Sequence, residues 1–248
     1  MTNWIDAEVT QIENWTDTLF SLRIRAPINT FIAGQFAKLA LIINDKYVQR
    51  AYSYVNAPKD SLLEFYLVKV PGGQLSTYLQ NLKSNDKLFI TKDAYGSFIL
   101  DTIPDSEILW MLSTGTAIGP YLSILQQGDN LDRFKHIILV HAVRYTNHLS
   151  FLPLMQKLYY KYMDKLKIIT IVSREKNINS LHGRIPQLIK NGDLENAVGL
   201  KITSNNSHVM LCGNPEMVRD TQQLLEKTRE MHKHFKHKAG HISTEHYW

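Results

Sequence analysis

The stretch that decides the fold is residues 108–120, which read ILWMLSTGTAIGP. Five apolar residues come first, a loop of small residues follows, and the stretch ends in Gly119-Pro120. A strand that is apolar on both faces is typical of a parallel sheet covered by helices. Proline is tolerated in the first turn of a helix because its missing N–H needs no partner there. The stretch therefore predicts strand, loop and helix in succession.

The same pattern recurs through the second half of the chain. Continuous apolar runs occur again at 137–143, 168–172 and 209–212, and a helical pattern follows each of them. The clearest helix is predicted from Pro215, because its apolar residues recur at helical spacing. That stripe consists of Met217, Val218, Thr221, Leu224, Leu225, Thr228 and Met231. Residues 102–248 are therefore predicted to form an open, doubly wound α/β domain with a parallel sheet.

The first half of the chain has a different periodicity. Apolar and polar residues alternate in short segments, and this period of two marks strands with one buried face. The predicted strands lie at about 5–12, 20–25, 36–43, 47–55, 63–68 and 87–91. Six short strands predict a closed antiparallel β-barrel. Because a linker with Pro104 follows, the predicted domains are 1–101 and 102–248.

Composition excludes several classes of protein. The chain has 248 residues, 44% of them hydrophobic, which suits a globular core and not a disordered chain. No apolar run approaches the ~18–20 residues of a membrane span, and no signal sequence is recognisable. Cys212 is the single cysteine, so no intramolecular disulfide can form and a cytoplasmic location is expected.

The net charge of +5 is unevenly distributed. Residues 1–101 contain ten basic and ten acidic side chains, so the whole excess falls in residues 102–248. Such an excess suits a nucleic acid, an anionic membrane or an acidic protein partner. Charge alone does not distinguish these three.

Candidate ligand-binding residues follow the predicted parallel strands, because open α/β sheets bind ligands at the carboxyl ends of their strands. Loop 113–120 lets a backbone approach a ligand, although it lacks the Gly-x-Gly-x-x-Gly spacing and suits a plain tight turn equally well. Arg144, Arg174 and Arg184 each follow a strand or precede a helix. One such arginine is usually solvated, but Arg144 and Arg174 at successive strand ends would lie side by side, and their combination with Arg184 predicts a phosphate pocket. Taken alone, Cys212 favours plain packing.

The first half contributes a second candidate site. Arg50-Ala51-Tyr52-Ser53 combines a guanidinium, an aromatic ring and a hydroxyl, which can contact a phosphate and a ring system together. An ordinary amphipathic strand is the alternative. Residues 73–77 are predicted to begin a helix through Leu82, with Ser76 or Thr77 as a possible cap and free N–H groups for an anion.

The C-terminal segment combines aromatic residues and histidines. Glu245-His246-Tyr247-Trp248 ends in two aromatics, which predict either a partner surface or burial in the core. Five of the ten histidines lie at positions 232, 234, 237, 241 and 246. Since no acidic or cysteine ligands accompany them at fixed spacing, no metal site is predicted and a solvated basic segment is favoured. Their role remains unassigned.

Four motifs, in this order, carry a family resemblance. They are RAYS at 50–53, GTAIGP at 115–120, CGNPEM at 212–217 and EHYW at 245–248. Together they closely resemble the bacterial ferredoxin–NADP reductases (flavodoxin reductases) that end in an aromatic pair, over essentially the whole chain. Ala117 departs from the glycine of many relatives, a change at the nucleotide approach that leaves the resemblance intact. The family implies an N-terminal FAD barrel and a C-terminal NADP domain.

The resemblance implies particular roles for these residues. Arg50 would pair with the FAD pyrophosphate, Tyr52 would pack on one face of the isoalloxazine, and Ser53 would place its hydroxyl near flavin N5. Tyr247 would stack on the other flavin face, and Trp248 would contact the adenine end. The other implied FAD residues are Ala51, Tyr66, Val68, Gln74, Leu75, Ser76 and Thr116.

For NADP, the resemblance implies that Arg144, Arg174 and Arg184 favour the extra 2′-phosphate. Cys212 and Glu245 would line the pocket near the nicotinamide. The other implied NADP residues are Val143, Ser173, Asn214 and Asp220. The implied catalytic set is Ser53, Cys212, Glu245 and Tyr247.

The implied activity is electron transfer between NADPH and ferredoxin or flavodoxin through non-covalent FAD, in a cytoplasmic monomer without metal. The basic excess, including Lys233, Lys236 and Lys238, would then steer acidic carriers. A free-flavin or quinone reductase is one alternative, against which the terminal aromatic pair and the FAD motifs argue. A nucleic-acid-binding module is another, but no recognisable binding motif supports it. The sequence does not decide between ferredoxin and flavodoxin, nor the direction of electron flow.

Overall fold

The computed structural model describes residues 2–247, and the chain divides into two compact units. One unit holds the chain through Ile99 together with Gly119–Gly128. The other holds Leu100–Ile118 together with the chain from Asp129 onward. The helix after loop 113–118 thus belongs by its contacts to the first unit. The predicted domain division at residue 101 stays a prediction.

The first unit is built on a six-stranded antiparallel sheet. Its strands, numbered in chain order, are β1 Trp4–Asn14, β2 Leu19–Arg25, β3 Phe36–Ile43, β4 Lys46–Ser53, β5 Leu63–Val68 and β6 Lys87–Thr91. The spatial order is β4-β3-β6-β1-β2-β5, so β4 and β5 are the edge strands. A bridge between Tyr54 and Phe65 joins these two edges, and the sheet curls into a barrel. The predicted strands and the predicted barrel are confirmed.

Alternation fills the core of this unit. Phe20, Leu22 and Ile24 of β2 are fully buried, and Leu63, Phe65 and Leu67 of β5 are also buried. Burial of each such side chain contributes roughly 1.5–3 kcal/mol relative to its exposure to water. Ser21 has the opposite parity and is nevertheless buried. Its hydroxyl accepts a hydrogen bond from the Trp15 indole at 3.0 Å, so no polar group is left unsatisfied there.

Two helices complete the first unit, α1 Ser76–Asn81 and α2 Gly119–Gln127. Pro120 occupies the second position of α2, as the sequence predicts. Helix α2 is fastened to the segment after β4 by two side chains. The Ser123 hydroxyl donates to the Asn56 carbonyl at 2.6 Å, and the Gln126 amide donates to the Val55 carbonyl at 2.7 Å. These bonds explain why α2 counts with the first unit.

The second unit is built on a six-stranded parallel sheet. Its strands are β7 Ile108–Thr114, β8 His136–Val143, β9 Leu166–Val172, β10 Leu181–His182, β11 Ser207–Gly213 and β12 Ile242–His246. The order is β10-β9-β8-β7-β11-β12. The chain moves outward from β7 to β10 and then returns to β11, so the strand order reverses between β7 and β11. Ligands bind open sheets at such a reversal, beyond the carboxyl ends of the strands. The predicted parallel α/β sheet is confirmed.

Four helices of the second unit are α3 Leu152–Tyr162, α4 Ile185–Lys190, α5 Asp193–Val198 and α6 Pro215–Arg229. Helix α6 begins at Pro215 as predicted, and its stripe is largely buried. Thr228 is an exception: it is exposed and donates to the Leu224 carbonyl. The helix ends before Glu230, because that residue adopts a left-handed φ of 54°. Met231 is buried, but it lies beyond the end of the helix.

Within residues 2–247, no helix combines the length and the apolar character that a membrane crossing requires.

Candidate functional site

The residues predicted for FAD on β4 and β5 lie where the two edges of the first sheet meet, here called the β4–β5 junction (Arg50–Ser53 with Tyr66 and Val68). The Tyr54–Phe65 bridge is antiparallel, which places Ser53 beside Tyr66. Both are buried, with Ser53 only 7% exposed. The structure therefore brings together two side chains that lie thirteen positions apart in the sequence.

The donor groups of the β4–β5 junction become more buried along β4, from Arg50 to Ser53. Arg50 is exposed and forms no ion pair with any residue in the described part of the chain. Its Nη1 donates to the neighbouring Gln49 carbonyl at 2.7 Å. Tyr52 packs partly on the barrel core, and burial raises its pKa to about 12, so its hydroxyl stays a donor at neutral pH. An unpaired guanidinium beside an aromatic ring and a hydroxyl fits the pyrophosphate and ring of FAD.

The start of α1 differs from its prediction. The helix spans Ser76–Asn81, shorter than the segment 73–82 expected from the sequence, and Leu75 occupies the N-cap position without a side-chain cap. Ser76 is buried, and its hydroxyl accepts from the Val70 N–H at 3.0 Å. The expected cap by Ser76 or Thr77 is therefore wrong. Gln74, exposed, and Leu75, buried, immediately precede the helix.

Three arginines follow three adjacent strands of the second sheet and are here called the arginine row (Arg144, Arg174 and Arg184). The Arg174 N–H donates to the Arg144 carbonyl at 2.9 Å, so the chain remains paired past the ends of β8 and β9. Ser173 supports this pairing, because its N–H and its hydroxyl both donate to the Val143 carbonyl, at 3.0 and 3.2 Å. Arg184 follows β10 and precedes α4.

The arginine row has the chemistry of a phosphate site. All three side chains are exposed, and none forms an ion pair with another residue between positions 2 and 247. The Arg174 guanidinium lies over the Tyr145 ring, 5.8 Å from its centroid. A planar guanidinium held against an aromatic ring keeps its N–H groups available for bidentate bonds to phosphate oxygens. The donor set therefore fits a phosphorylated nucleotide.

The loop after β7 lies at the reversal point of the second sheet. Residues Gly115–Ile118 form a 3-10 turn, in which Gly115 takes a left-handed φ of 56° and Thr116 is buried. On the β11 side, the Asn214 N–H donates to the Thr114 hydroxyl at 2.9 Å. Gly213 permits this approach, since a Cβ there would lie 2.2 Å from the Thr114 Oγ1. On the β8 side, the buried His141 ring lies 3.0 Å from the Gly115 carbonyl oxygen.

Cys212 and Glu245 lie opposite one another on β11 and β12. The Cys212 Sγ is 4.0 Å from Glu245 Oε2. Burial raises the pKa of Glu245 to about 7, and burial together with the Glu245 charge raises the pKa of the Cys212 thiol. The thiol therefore stays protonated, while the carboxyl group can take up or release a proton near neutral pH.

The remaining predicted residues lie after β12, at the start of α6 and on its exposed surface. The Tyr247 N–H donates to the Gly213 carbonyl at 3.0 Å, which extends the β11–β12 pairing to the end of the described chain. The Asn214 side chain accepts from two N–H groups of α6 and caps that helix. Asp220 is exposed on α6 and pairs with its neighbour Arg219 at 3.5 Å. Trp248 lies outside the described residues. Ser53 belongs to the first unit, whereas Cys212, Glu245 and Tyr247 belong to the second.

Histidine side chains form hydrogen bonds between the segment after α6, β11 and β12, which the sequence did not reveal. We call His208, His234 and His241 the histidine clasp. His241 Nδ1 accepts from the His232 N–H at 3.0 Å, and His234 Nδ1 accepts from the Gly240 N–H at 3.2 Å. The ring of buried His208 forms a hydrogen bond with the Ser243 hydroxyl on β12 at 2.9 Å.

The sequence favours a solvated segment here, but only residues 235–239 are continuously exposed. Among the described residues, no group of three potential ligands is arranged to hold a metal.

Two protein-family models match the chain. The oxidoreductase FAD-binding domain matches residues 7–98, and the oxidoreductase NAD-binding domain matches residues 111–223. The first match covers most of the curled sheet with the β4–β5 junction, and the second covers the last part of β7 and the arginine row. Fold and matches together define the class, an oxidoreductase with separate domains for FAD and for a nicotinamide nucleotide.

Relatives narrow this class to a family. The flavodoxin/ferredoxin–NADP reductase of Shigella flexneri is 58% identical over 248 residues, with 100% of both chains covered. That of Buchnera aphidicola subsp. Schizaphis graminum is 55% identical over 257 residues, again with 100% of both chains covered. A crystal structure of a ferredoxin NADP+ reductase from Neisseria gonorrhoeae with bound FAD and NADP has a TM-score of 0.93 at 31% identity, covering 100% of both chains.

The chain belongs to the family of flavodoxin/ferredoxin–NADP reductases. The family, fold class, enzyme class and cofactors expected from the sequence are confirmed. The individual site residues stay predictions. One residue with a clear structural connection to the site, His141, was missed, although it is a polar residue between buried apolar residues of β8.

Proposed function

We propose that the protein transfers electrons between NADPH and flavodoxin or ferredoxin, with FAD as its bound cofactor. The observation that carries this proposal is the presence of two donor sets in one chain. The β4–β5 junction holds one guanidinium group and the arginine row holds three, and none of the four has a carboxylate partner within residues 2–247. FAD supplies the conversion between a two-electron hydride and single electrons. The chain supplies binding, orientation and proton control.

The β4–β5 junction is proposed to hold FAD. Arg50 would bind the pyrophosphate bidentately, because its guanidinium is exposed and has no competing carboxylate in the described chain. Tyr52 would pack on the flavin ring while keeping its phenol protonated. Ser53 would present its hydroxyl from a buried position beside Tyr66. Ala51, Val68, Gln74, Leu75 and Ser76 would line the rest of this site.

The arginine row is proposed to select NADPH over NADH. The two nucleotides differ by one phosphate, and guanidinium groups bind phosphate more tightly than any neutral donor does. Backbone pairing between Arg144 and Arg174 fixes two of the three groups at neighbouring positions before the nucleotide arrives. This preorganisation reduces the entropy lost on binding.

Glu245 is proposed to take up and release protons near the nicotinamide, beside the thiol of Cys212. Burial leaves the carboxyl group with a pKa of about 7, so that it exchanges protons readily under physiological conditions. The thiol remains neutral, and its Sγ lies 4.0 Å from the carboxyl oxygen Oε2 of Glu245. Thr116 and Tyr247 would frame the nicotinamide from the loop after β7 and from the end of β12.

The protein partner is proposed to be an acidic electron carrier that approaches a basic surface. Lys236 and Lys238 are exposed in the segment after α6, beside Lys233. The positive charges of these lysines attract an acidic carrier and raise its association rate, and salt weakens this attraction. We further propose that the enzyme acts as a monomer in the cytoplasm.

The visible spectrum of the purified protein, followed by titrations with NADPH and NADH, tests the proposed function. We expect flavin absorption bands that NADPH bleaches at far lower concentration than NADH does, and reoxidation on addition of flavodoxin or ferredoxin. Protein that carries no flavin would favour the free-flavin reductase alternative. Equal bleaching by both nucleotides would remove the role of the arginine row.

A further inference from the structure

His141 is a polar side chain in the middle of an apolar sheet. It lies on β8, between β7 and β9, and has no exposed surface. The strand around it reads HIILVHAV, and the residues on either side of His141 are buried and apolar. Burial of an imidazole among apolar side chains is unfavourable unless its nitrogens are hydrogen-bonded. His141 therefore needs a structural reason, which packing alone does not provide.

The partner of His141 defines its tautomer. Its Nε2 lies 3.0 Å from the Gly115 carbonyl oxygen, which can only accept a hydrogen bond. Nε2 must therefore carry the hydrogen and donate it. Nδ1 is buried and has no hydrogen-bond partner in the described chain. The bond from Nε2 to Gly115 is therefore the hydrogen bond that the imidazole forms there. Burial also lowers the pKa of His141 to about 4, so the ring stays neutral.

The bond acts on the turn that follows β7. Gly115 takes the left-handed φ of 56°, and its carbonyl direction determines where the next residue, Thr116, enters the 3-10 turn. The strand just before the turn is secured from both sides. The Ser113 hydroxyl donates to the Val140 carbonyl on β8 at 2.8 Å, and the Thr114 hydroxyl accepts from Asn214 after β11. The His141 bond to Gly115 is a hydrogen bond to the turn itself.

We propose that His141 is a positioning residue for hydride transfer, which acts by fixing the Gly115 carbonyl and thereby Thr116 at the nicotinamide. This inference rests on the proposed function, because that function places Thr116 beside the nicotinamide. His141 acts through Gly115 and not by contact with NADPH. It sets the geometry of the turn, while the arginine row sets the affinity for the nucleotide.

Three substitutions at this position separate positioning from packing. His141→Gln keeps an N–H at the place of Nε2, His141→Asn places its amide too short to reach Gly115, and His141→Leu removes all donors. Because small misplacements of reacting groups are costly, the limiting rate of flavin reduction by NADPH should fall about tenfold or more in the Leu and Asn variants. The Gln variant should remain within about threefold of the wild type, since it restores the donor.

The measurement is rapid-mixing reduction of the FAD-loaded enzyme, with thermal unfolding recorded in parallel. Apparent affinity for NADPH should change by less than about threefold in all three variants, because the phosphate contacts are untouched. A purely structural role predicts rates that follow thermal stability and no difference between Gln and Leu. A wild-type rate in His141→Leu, or a Gln variant as slow as Leu, overturns the proposal.

A second measurement needs no variant. Nitrogen-15 NMR of the wild-type enzyme should show His141 as the neutral Nε2–H tautomer between about pH 5.5 and about pH 8, a range in which an ordinary histidine titrates. An Nδ1–H tautomer, or titration in that range, overturns the proposal. Failure of the proposed function is distinguishable, because wild-type flavin would then not be reduced by NADPH whatever tautomer His141 adopts.

Discussion

The two sheets present their candidate ligand residues in different ways. In the first, the residues lie within strands, at the edges β4 and β5, so that alternate side chains of the same strand serve the core and the ligand. In the second, the central strands β7, β8 and β11 are almost entirely buried, and the candidate ligand residues lie near or beyond the carboxyl ends of the strands. A parallel sheet thus separates folding residues from binding residues along the chain, whereas a curled antiparallel sheet mixes them.

The largest expected effect is loss of FAD from the edge of the first sheet. Arg50→Glu should weaken FAD binding about 100-fold or more, because a charge-assisted bidentate contact is replaced by repulsion between anions. Flavin fluorescence after dilution or dialysis measures the loss. Lys46→Glu is the matched control, since it makes the same charge change at an exposed position of the same strand. If both variants kept their flavin equally well, the β4–β5 junction would not be the pyrophosphate site.

A substitution in the arginine row should reduce the preference for NADPH over NADH without changing the fold. Arg174→Ala should raise the KM for NADPH by about tenfold, with kcat and the KM for NADH nearly unchanged, because one charged hydrogen bond to phosphate is worth roughly 1.5–3 kcal/mol. Steady-state kinetics with both nucleotides measure it. Arg219→Ala, at an exposed arginine of α6, serves as the control. An equal rise for NADH would indicate a general defect and contradict phosphate selection.

Glu245 should make the second unit less stable as pH rises. Its folded pKa of about 7 lies above the ordinary value of 4.5, so its contribution is complete below pH 4.5 and is lost as pH rises through about 7. Glu245→Gln cannot ionise, and its Tm at about pH 8 should exceed that of the wild type by roughly 5 °C. At about pH 4, below the ordinary pKa of a glutamate, the two proteins should be alike. Glu230→Gln, exposed after α6, should show no such pH-dependent gain.

The histidine clasp should have the opposite pH dependence and a smaller effect. Burial, with further contributions from His234, His241 and Arg133, lowers the pKa of His208 from 6.5 to about 3. Its stability contribution is therefore complete above about pH 6.5 and is lost as pH falls toward 3. His208→Gln keeps an amide that can reach Ser243 and should reduce the drop in Tm between about pH 7 and pH 5 by roughly 2 °C. The exposed His237→Gln should leave that drop unchanged, and a drop unaltered in His208→Gln would refute this account.

The same contrast explains what the sequence could predict. Ten strands were predictable, because alternation in the first half and continuous apolar runs in the second are local signals. Strand β12 was not, since ISTEH buries only Ile242 completely, and its extended form depends on pairing with β11. The two-residue strand β10 is too short to carry any period.

The site shows a similar limit. Arg50 and the arginine row were recognisable because charged residues flank or interrupt predicted strands. The bond from His141 to Gly115 was not, because it joins positions 26 residues apart through neighbouring strands, and only the tertiary structure shows which carbonyl the ring meets. The one available signal was a polar residue in the centre of a continuous apolar run. The role of Ser76 was misjudged for the same reason, since Val70 competes for its hydroxyl.

The assignment of α2 to the first unit has a consequence for synthesis on the ribosome. Domains generally fold as units while the chain emerges, the N-terminal one first. Here the barrel unit lacks α2 until β7 and the following turn have also left the exit tunnel. The carbonyls of Val55 and Asn56 await partners that are translated after the first strand of the next unit. Maturation of the flavin-binding half is thus delayed until translation of the nucleotide-binding half has begun.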